Sequence, residues 1–175
     1  MLLENEKIQL RAVEPKDLDL LYHWENNPSY WHAGEVRTLY SKFALKQFIL
    51  SSGKDVYENK QLRFMIESKD LKKTVGTIDL FDFDVFNSRI GIGILIEKTF
   101  QNNGFAATSV ELIKEYVFSY LKIHQIYAHV AETNETSTKL FEKCGFEKTS
   151  VLKDWISTEA GFANVFLFQT FNRHR

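Results

Sequence analysis

Cysteine is almost missing from this chain. Cys144 stands alone, so no disulfide can close within the chain and no cysteine metal cluster can be built. The histidines His23, His124, His129 and His174 are scattered without metal-ligand spacing, and no metal is expected. With only two prolines, and with no Gly/Ser-rich, low-complexity or repeated segment, nothing marks a linker between two parts. Neither sign of charge prevails, since 22 Lys and Arg stand against 23 Asp and Glu. That balance gives no electrostatic case for a nucleic acid or an anionic membrane as partner. No apolar run approaches the roughly twenty residues of a membrane span. The opening Met1 to Lys7 has no long apolar core behind a basic region, as a secretory leader would. A cytoplasmic protein is the expectation.

What is present is a globular composition, 44% hydrophobic and 26% charged over 175 residues, enough for one core. A single domain over 1–175 is expected. Lys7 to Val13 alternates as a half-buried strand and stops at Glu14-Pro15, where proline can open a helix striped by Leu18, Leu21 and Tyr22. Ser29-Tyr30-Trp31-His32-Ala33-Gly34-Glu35 is aromatic and irregular, either packing or one wall of a substrate pocket. Ser41 is a plausible N-cap for a second helix carrying Leu45, Phe48 and Ile49. Three strands with short turns follow, at 62–67, 74–83 and 90–96, and suggest an antiparallel meander. Gly91 and Gly93 inside the third predict a bulge or a close approach by another backbone.

A helix over about 105–121, a strand over 125–131, a helix capped by Asn134 and ended by Gly145, and strands over 147–155 and 164–171 complete the order. A meander joined to one βαβ unit predicts an α/β or α+β fold around a mixed, mostly antiparallel sheet flanked by about four helices. Phe166, Phe168 and Phe171 on the last strand could pack in a homodimer contact.

Between the 90–96 strand and the helix after it lies Gln101-Asn102-Asn103-Gly104-Phe105-Ala106. Residues that tolerate unusual dihedrals stand here, at a helix start whose first N–H groups have no partner inside the helix. With the helix dipole behind them, those donors suit an anion such as a pyrophosphate. A dinucleotide fold, the competing reading of Gly91-x-Gly93, fails because those glycines lie inside the strand and Ile96 stands where a third glycine belongs.

This turn, together with Asn134 and the ending Leu140-Phe141-Glu142-Lys143-Cys144-Gly145-Phe146, resembles the acetyl-CoA-binding half of the GNAT N-acetyltransferases. The family's pyrophosphate pattern is Gln/Arg-x-x-Gly-x-Gly/Ala, and Gln101, Gly104 and Ala106 meet its fixed positions. The element order matches over nearly the whole chain. With Ser29-Tyr30-Trp31 and the acidic strand around Asp79 and Asp82, the pattern is most similar to the spermidine and the ribosomal-protein N-terminal acetyltransferases. The resemblance implies acetyl-CoA as donor and no metal. It implies pantetheine contacts at the backbone of Leu95 and Ile96, pyrophosphate contacts from Gln101 through Asn102, Asn103, Gly104 and Phe105 to Ala106, and further contacts at Asn134 and Ser137.

The implied activity is direct transfer to a primary amine, either a polyamine-like small molecule or a protein N-terminal amine. Such an amine, with a pKa near 10, must lose a proton before it can attack. Asp79, which the resemblance favours as base, Asp82, Glu35 and His32 are the available groups, with Tyr30 and Trp31 as substrate wall. Regular strand geometry would turn Asp79 and Asp82 to opposite faces. Phe141 stands where many relatives carry a tyrosine that protonates the departing thiolate. The departure leaves a non-catalytic acyl-CoA-binding module on the same fold as the alternative. Cys144, among packing residues and without a paired base, is not expected to act as a nucleophile.

Overall fold

The computed structural model describes residues 3–33, 38–53 and 56–173, with the side chains of 31–33 outside the description. The strands are β1 (Ile8–Ala12), β2 (Leu62–Ser68), β3 (Lys73–Asp84), β4 (Arg89–Ile96), β5 (Gln125–Ala131), β6 (Glu147–Thr158) and β7 (Gly161–Phe171). The helices are α1 (Leu18–Glu25), α2 (Lys42–Ser51), α3 (Val56–Asn59), α4 (Phe105–Glu115) and α5 (Glu135–Lys143). The strands form one seven-stranded sheet in the order β1-β2-β3-β4-β5-β7-β6, all antiparallel except the β4–β5 pair. This is the mixed α+β sheet expected, with one more short helix, α3, than its sequence announced.

Local chemistry explains most boundaries. The Ser41 hydroxyl accepts the Ala44 N–H at 3.0 Å and starts α2. Asn134 does the same for α5 through the Ser137 N–H at 3.0 Å, and Gly145, with φ +77°, stops it. The helix expected over about 105–121 runs from Phe105 to Tyr120 but changes form after Glu115. From Tyr116 to Tyr120 the coil widens into a π-turn, with the Leu121 N–H bonded to the Tyr116 carbonyl. The wider turn stacks Tyr116 on Tyr120 while Val117 stays in the core.

The sheet carries apolar packing on both faces. Against one lie α4, the π-turn after it and α5: Val110, Ile113, Val117 and Phe141 pack with Ile78, Leu80, Ile90, Ile92, Ile126 and Phe168. Against the other lie α1 and α2, where Leu21, Trp24, Leu45 and Ile49 meet Met65. Each fully buried Leu or Ile contributes about 2 kcal/mol relative to an exposed one. Phe168 belongs to this interior, stacked on Phe141 with ring centroids 6.1 Å apart, and is no dimer contact. Phe166 is partly buried under the Lys148 ammonium, and Phe171 lies against His124. The apolar side chains left outside on this flank are Val151, Trp155 and Phe162 of the β6–β7 hairpin. Among the described residues no helix is long and apolar enough to cross a membrane.

The expected irregularity at Gly91 and Gly93 lies elsewhere. The β3–β4 register runs unbroken from Gly91 to Ile96, and the bulge sits on β3, where Asp82 and Phe83 oppose the single residue Ile90. Gly91 instead makes room for a ring: a Cβ there would stand 2.3 Å from the Phe81 Cε2.

Candidate functional site

β4 and β5 are parallel but stay together for only three residue pairs, Arg89–Gln125, Ile90–Ile126 and Gly91–Tyr127. Beyond these they part. Ile92 to Ile96 then has β3 on one edge and, among the described residues, no strand on the other. A strand edge with unpaired backbone groups is a template for an extended, hydrogen-bonding guest. The open edge runs directly into the Gln101–Ala106 turn.

That turn is held by its own groups. The Gln101 amide donates to the Ile96 carbonyl at 3.0 Å, and the Asn103 amide donates to the Phe100 and Gln101 carbonyls at 3.2 and 3.0 Å. Asn102 takes a left-handed φ of 62°, which asparagine tolerates, and Gly104 takes 77° as the residue before α4. Gly104 offers no side-chain oxygen, and among the described residues no side chain caps the helix. The first-turn N–H groups of Phe105, Ala106 and their successor are therefore available. Ile96 offers less than expected, since its carbonyl already accepts from Gln101; Leu95 packs its side chain on the α1–α2 side.

Across the opening stands α5. The Asn134 side chain accepts from the Ser137 N–H, so both residues are committed to the helix start whatever else they contact. Thr138, one turn before Phe141, has a buried hydroxyl with no partner among the described residues, whereas Thr108 and Ser109 bond back to the carbonyls of Gly104 and Phe105. Phe141 is buried, edge-on to Phe146 with centroids 5.0 Å apart. Cys144 is buried too; its thiol is pushed up to about 11 by desolvation and then by Glu111, so it stays neutral and non-nucleophilic.

On the α1–α2 face, Arg63 of β2 grips Asp79 of β3 with two bonds, Nε to Oδ1 at 2.6 Å and a terminal nitrogen to Oδ2 at 2.9 Å, and reaches Glu25 of α1 at 2.5 Å. The guanidinium also covers the Phe48 ring of α2. Asp79 is thus one arm of a network with two carboxylates and one cation. Phe81, two residues on and on the same face, lies edge-on to Tyr127 of β5 at 6.3 Å. Because of the β3 bulge and its own φ of 49°, Asp82 does not point away from this group. The Tyr127 hydroxyl lies 3.4 Å from Asp82 Oδ2. Burial, then the Asp82 charge, push the Tyr127 phenol above its usual value, so it remains a donor at neutral pH. His129 is exposed beside Tyr127, with ring centroids 5.5 Å apart.

The Tyr30 hydroxyl accepts the Lys98 N–H at 3.2 Å, pinning the 3-10 turn of Pro28–Ala33 to the end of β4. Trp31 and His32 lie on that turn with side chains outside the described residues, and Glu35 lies outside them altogether. The fold thus gathers Tyr30, Leu95, Ile96 and the turn at one end of β4, and Asp79, Asp82, Phe81 and Tyr127 along its flank. Sequence reasoning passed over Arg63, Glu25, Phe81 and Tyr127. The alternation of Gln125 to Ala131 already put Tyr127 on the polar face, but nothing local paired Arg63 with Asp79. A shallow hollow along α4, lined by Thr108, Glu111, Lys114, Phe118 and Thr170 among others, includes no residue of β4 or β5 and none of the expected site residues. Among the described residues no cluster of His, Cys, Asp and Glu could hold a metal ion.

A family model described as an acetyltransferase (GNAT) domain matches residues 7–147. The spermidine N(1)-acetyltransferase of Vibrio cholerae serotype O1 is 30% identical over 151 residues, covering 81% of this chain and 80% of that protein. YoaA of Bacillus subtilis (strain 168), an uncharacterised N-acetyltransferase, is 27% identical over 89% of this chain and 88% of its own. Among solved structures, the Vibrio cholerae spermidine N-acetyltransferase in complex with CoA and spermine superposes with a TM-score of 0.87 at 25% identity, covering 96% of this chain and 97% of that one. A dodecameric form of spermidine N-acetyltransferase from the same organism gives 0.80 at 26% identity, covering 96% and 95%.

Proposed function

The chain belongs to the acetyltransferase (GNAT) domain family, and on that premise we propose that it acetylates a polyamine-like primary amine by direct transfer. It is an acetyl-CoA-dependent N-acetyltransferase. The observation that carries the reading is the parting of β4 from β5, which leaves an open strand edge leading into a helix start with uncapped N–H groups. The orphan hydroxyl of Thr138 across the opening fits the same guest. Acetyl-CoA supplies an activated thioester; the protein's part is to hold it and to manage protons. The backbone of Gln101 to Ala106 binds the diphosphate, the free edge at Leu95 and Ile96 aligns the pantetheine arm, and Asn134 and Ser137 border it.

The acceptor nitrogen must arrive neutral. Asp79 has both oxygens on Arg63 and serves as part of a negatively charged anchor for a cationic acceptor, together with Glu25. Asp82, with one oxygen toward Tyr127 and the other without a partner among the described residues, takes the ammonium proton directly or through water. Glu35 and the side chains of Trp31 and His32, expected beside the acceptor, lie outside the described residues. As the N–C bond forms and the C–S bond breaks, the nitrogen gives up its second proton to solvent and the thiolate takes one from solvent, because Phe141 has none to give. A thiol pKa near 8.5 makes it a tolerable leaving group. Self-association with a second copy through Val151, Trp155 and Phe162 is also proposed, and sedimentation of the F162D variant tests it.

Thiol release over polyamines, aminoglycosides and peptides with free N-termini tests the acceptor. Spermidine-like triamines should give the highest kcat/KM; a preference for peptides would replace the polyamine by a protein N-terminal amine.

A further inference from the structure

Lys7 lies in a place that electrostatics alone would not choose. Its ammonium donates to the Asn103 carbonyl, lies 5.1 Å from the centre of the Phe105 ring, and would stand 3.1 Å from a Cβ at Gly104. It therefore sits at the N-terminus of α4, which carries the positive end of the helix dipole and disfavours a cation. No carboxylate among the described residues forms an ion pair with it. The placement is nevertheless constructed. The Asn5 side-chain oxygen accepts from the N–H groups of both Lys7 and Ile8, at 2.9 and 3.0 Å, and the Lys7 carbonyl accepts from the Lys69 N–H at 3.1 Å. The backbone before β1 is thereby fixed, and the side chain is directed along the turn.

Two positive features brought together, with no carboxylate among the described residues paired to the ammonium, form an arrangement that an anion would stabilise. We propose that Lys7 is a donor-binding residue of the acetyltransferase, its ammonium pairing with the diphosphate of acetyl-CoA beside the N–H groups of the Gln101–Ala106 turn. This rests on the acetyl-CoA reading of that turn. It adds a side chain from the far end of the sheet to a subsite otherwise built of backbone, and a lysine binds phosphate as a point charge with no demand for a fixed geometry.

The test compares Lys7→Met and Lys7→Arg with the unaltered chain on acetyl-CoA, on dephospho-acetyl-CoA, which lacks the 3′-phosphate, and on acetyl-pantetheine, which lacks the diphosphate as well. With the first two donors Lys7→Met should raise the donor KM about fivefold, the upper range for an exposed ion pair. Its kcat should stay within about twofold, and Lys7→Arg should restore most of the loss. With acetyl-pantetheine the unaltered chain and the Met variant should have the same KM. An equal penalty on acetyl-pantetheine would mean that Lys7 acts by shaping the turn and would overturn the proposal. So would a donor KM untouched by Lys7→Met, and so would a penalty confined to acetyl-CoA, which would assign Lys7 to the 3′-phosphate. Failure of the unaltered chain to use or bind acetyl-CoA would instead remove the acetyl-CoA reading itself.

Discussion

At one end of β4 the Gln101–Ala106 turn offers backbone N–H groups from consecutive residues. Along the flank of the same strand, Arg63, Asp79, Phe81, Asp82 and Tyr127 offer side chains drawn from three strands, tied to Glu25 of a helix. In the proposed function the first recognises what every acyl-CoA shares, and most of what it needs is local: two left-handed residues and a helix start. The second, proposed to hold the acceptor, would have to discriminate between amines, and its charges meet across the sheet. On that reading a change of backbone should damage the first most, and a change of side chain the second.

The largest expected break is on the flank. Arg63→Ala leaves the Glu25 and Asp79 carboxylates facing each other without their cation, and both are less than a third exposed. A loss on the order of 2 kcal/mol in denaturant unfolding is expected, somewhat below that of a fully buried pair. The amine KM should rise, while acetyl-CoA affinity by calorimetry stays unchanged. Gly104→Val strikes the other region. A β-branched residue at φ +77° costs about 1–2 kcal/mol, and crowding the turn should weaken acetyl-CoA binding about tenfold while the amine KM holds. Unchanged donor affinity would mean that the turn is not the diphosphate site.

Phe141→Tyr sharpens the contrast on the α5 side. The ring is packed against Phe146 and Phe168, so an added hydroxyl should cost about 1 kcal/mol in stability. It should change kcat by less than about threefold, because the thiolate leaves without help; a tenfold gain would locate a missing proton donor there.

The smallest effect is at alkaline pH. The buried Cys144 thiol is held up to about 11, above its value in the unfolded chain, near 8.5. Its contribution to stability is complete below about pH 8.5 and is lost as pH rises through about 11. Cys144→Ala should flatten that part of the stability profile and leave turnover at pH 7 intact, as expected of a residue that forms no acetyl-thioester.

The difference between the two regions also divides what was legible in the chain. Gln101, Gly104 and Ala106 could be placed at a helix start from sequence because a turn is written by neighbours, and the Ser41 and Asn134 caps likewise. Asp79 and Asp82 could be named as acids but not assigned their surroundings. Regular alternation turned Asp82 away, and a bulge restored it to the same group as Phe81 and Tyr127. Phe168 looked like an outward aromatic because an alternating strand does not say which of its faces is covered.

Periodicity, caps and glycine positions, all set by contacts a few residues apart, determined the elements, their order and the uncapped turn before α4. Only the tertiary structure decided that β4 and β5 part after three pairs, that Arg63 holds Asp79 and Glu25, and that Lys7 meets Asn103 from 96 residues away. These are meetings of side chains and strand edges remote in sequence. They depend on the twist and register of the whole sheet, which no short stretch encodes.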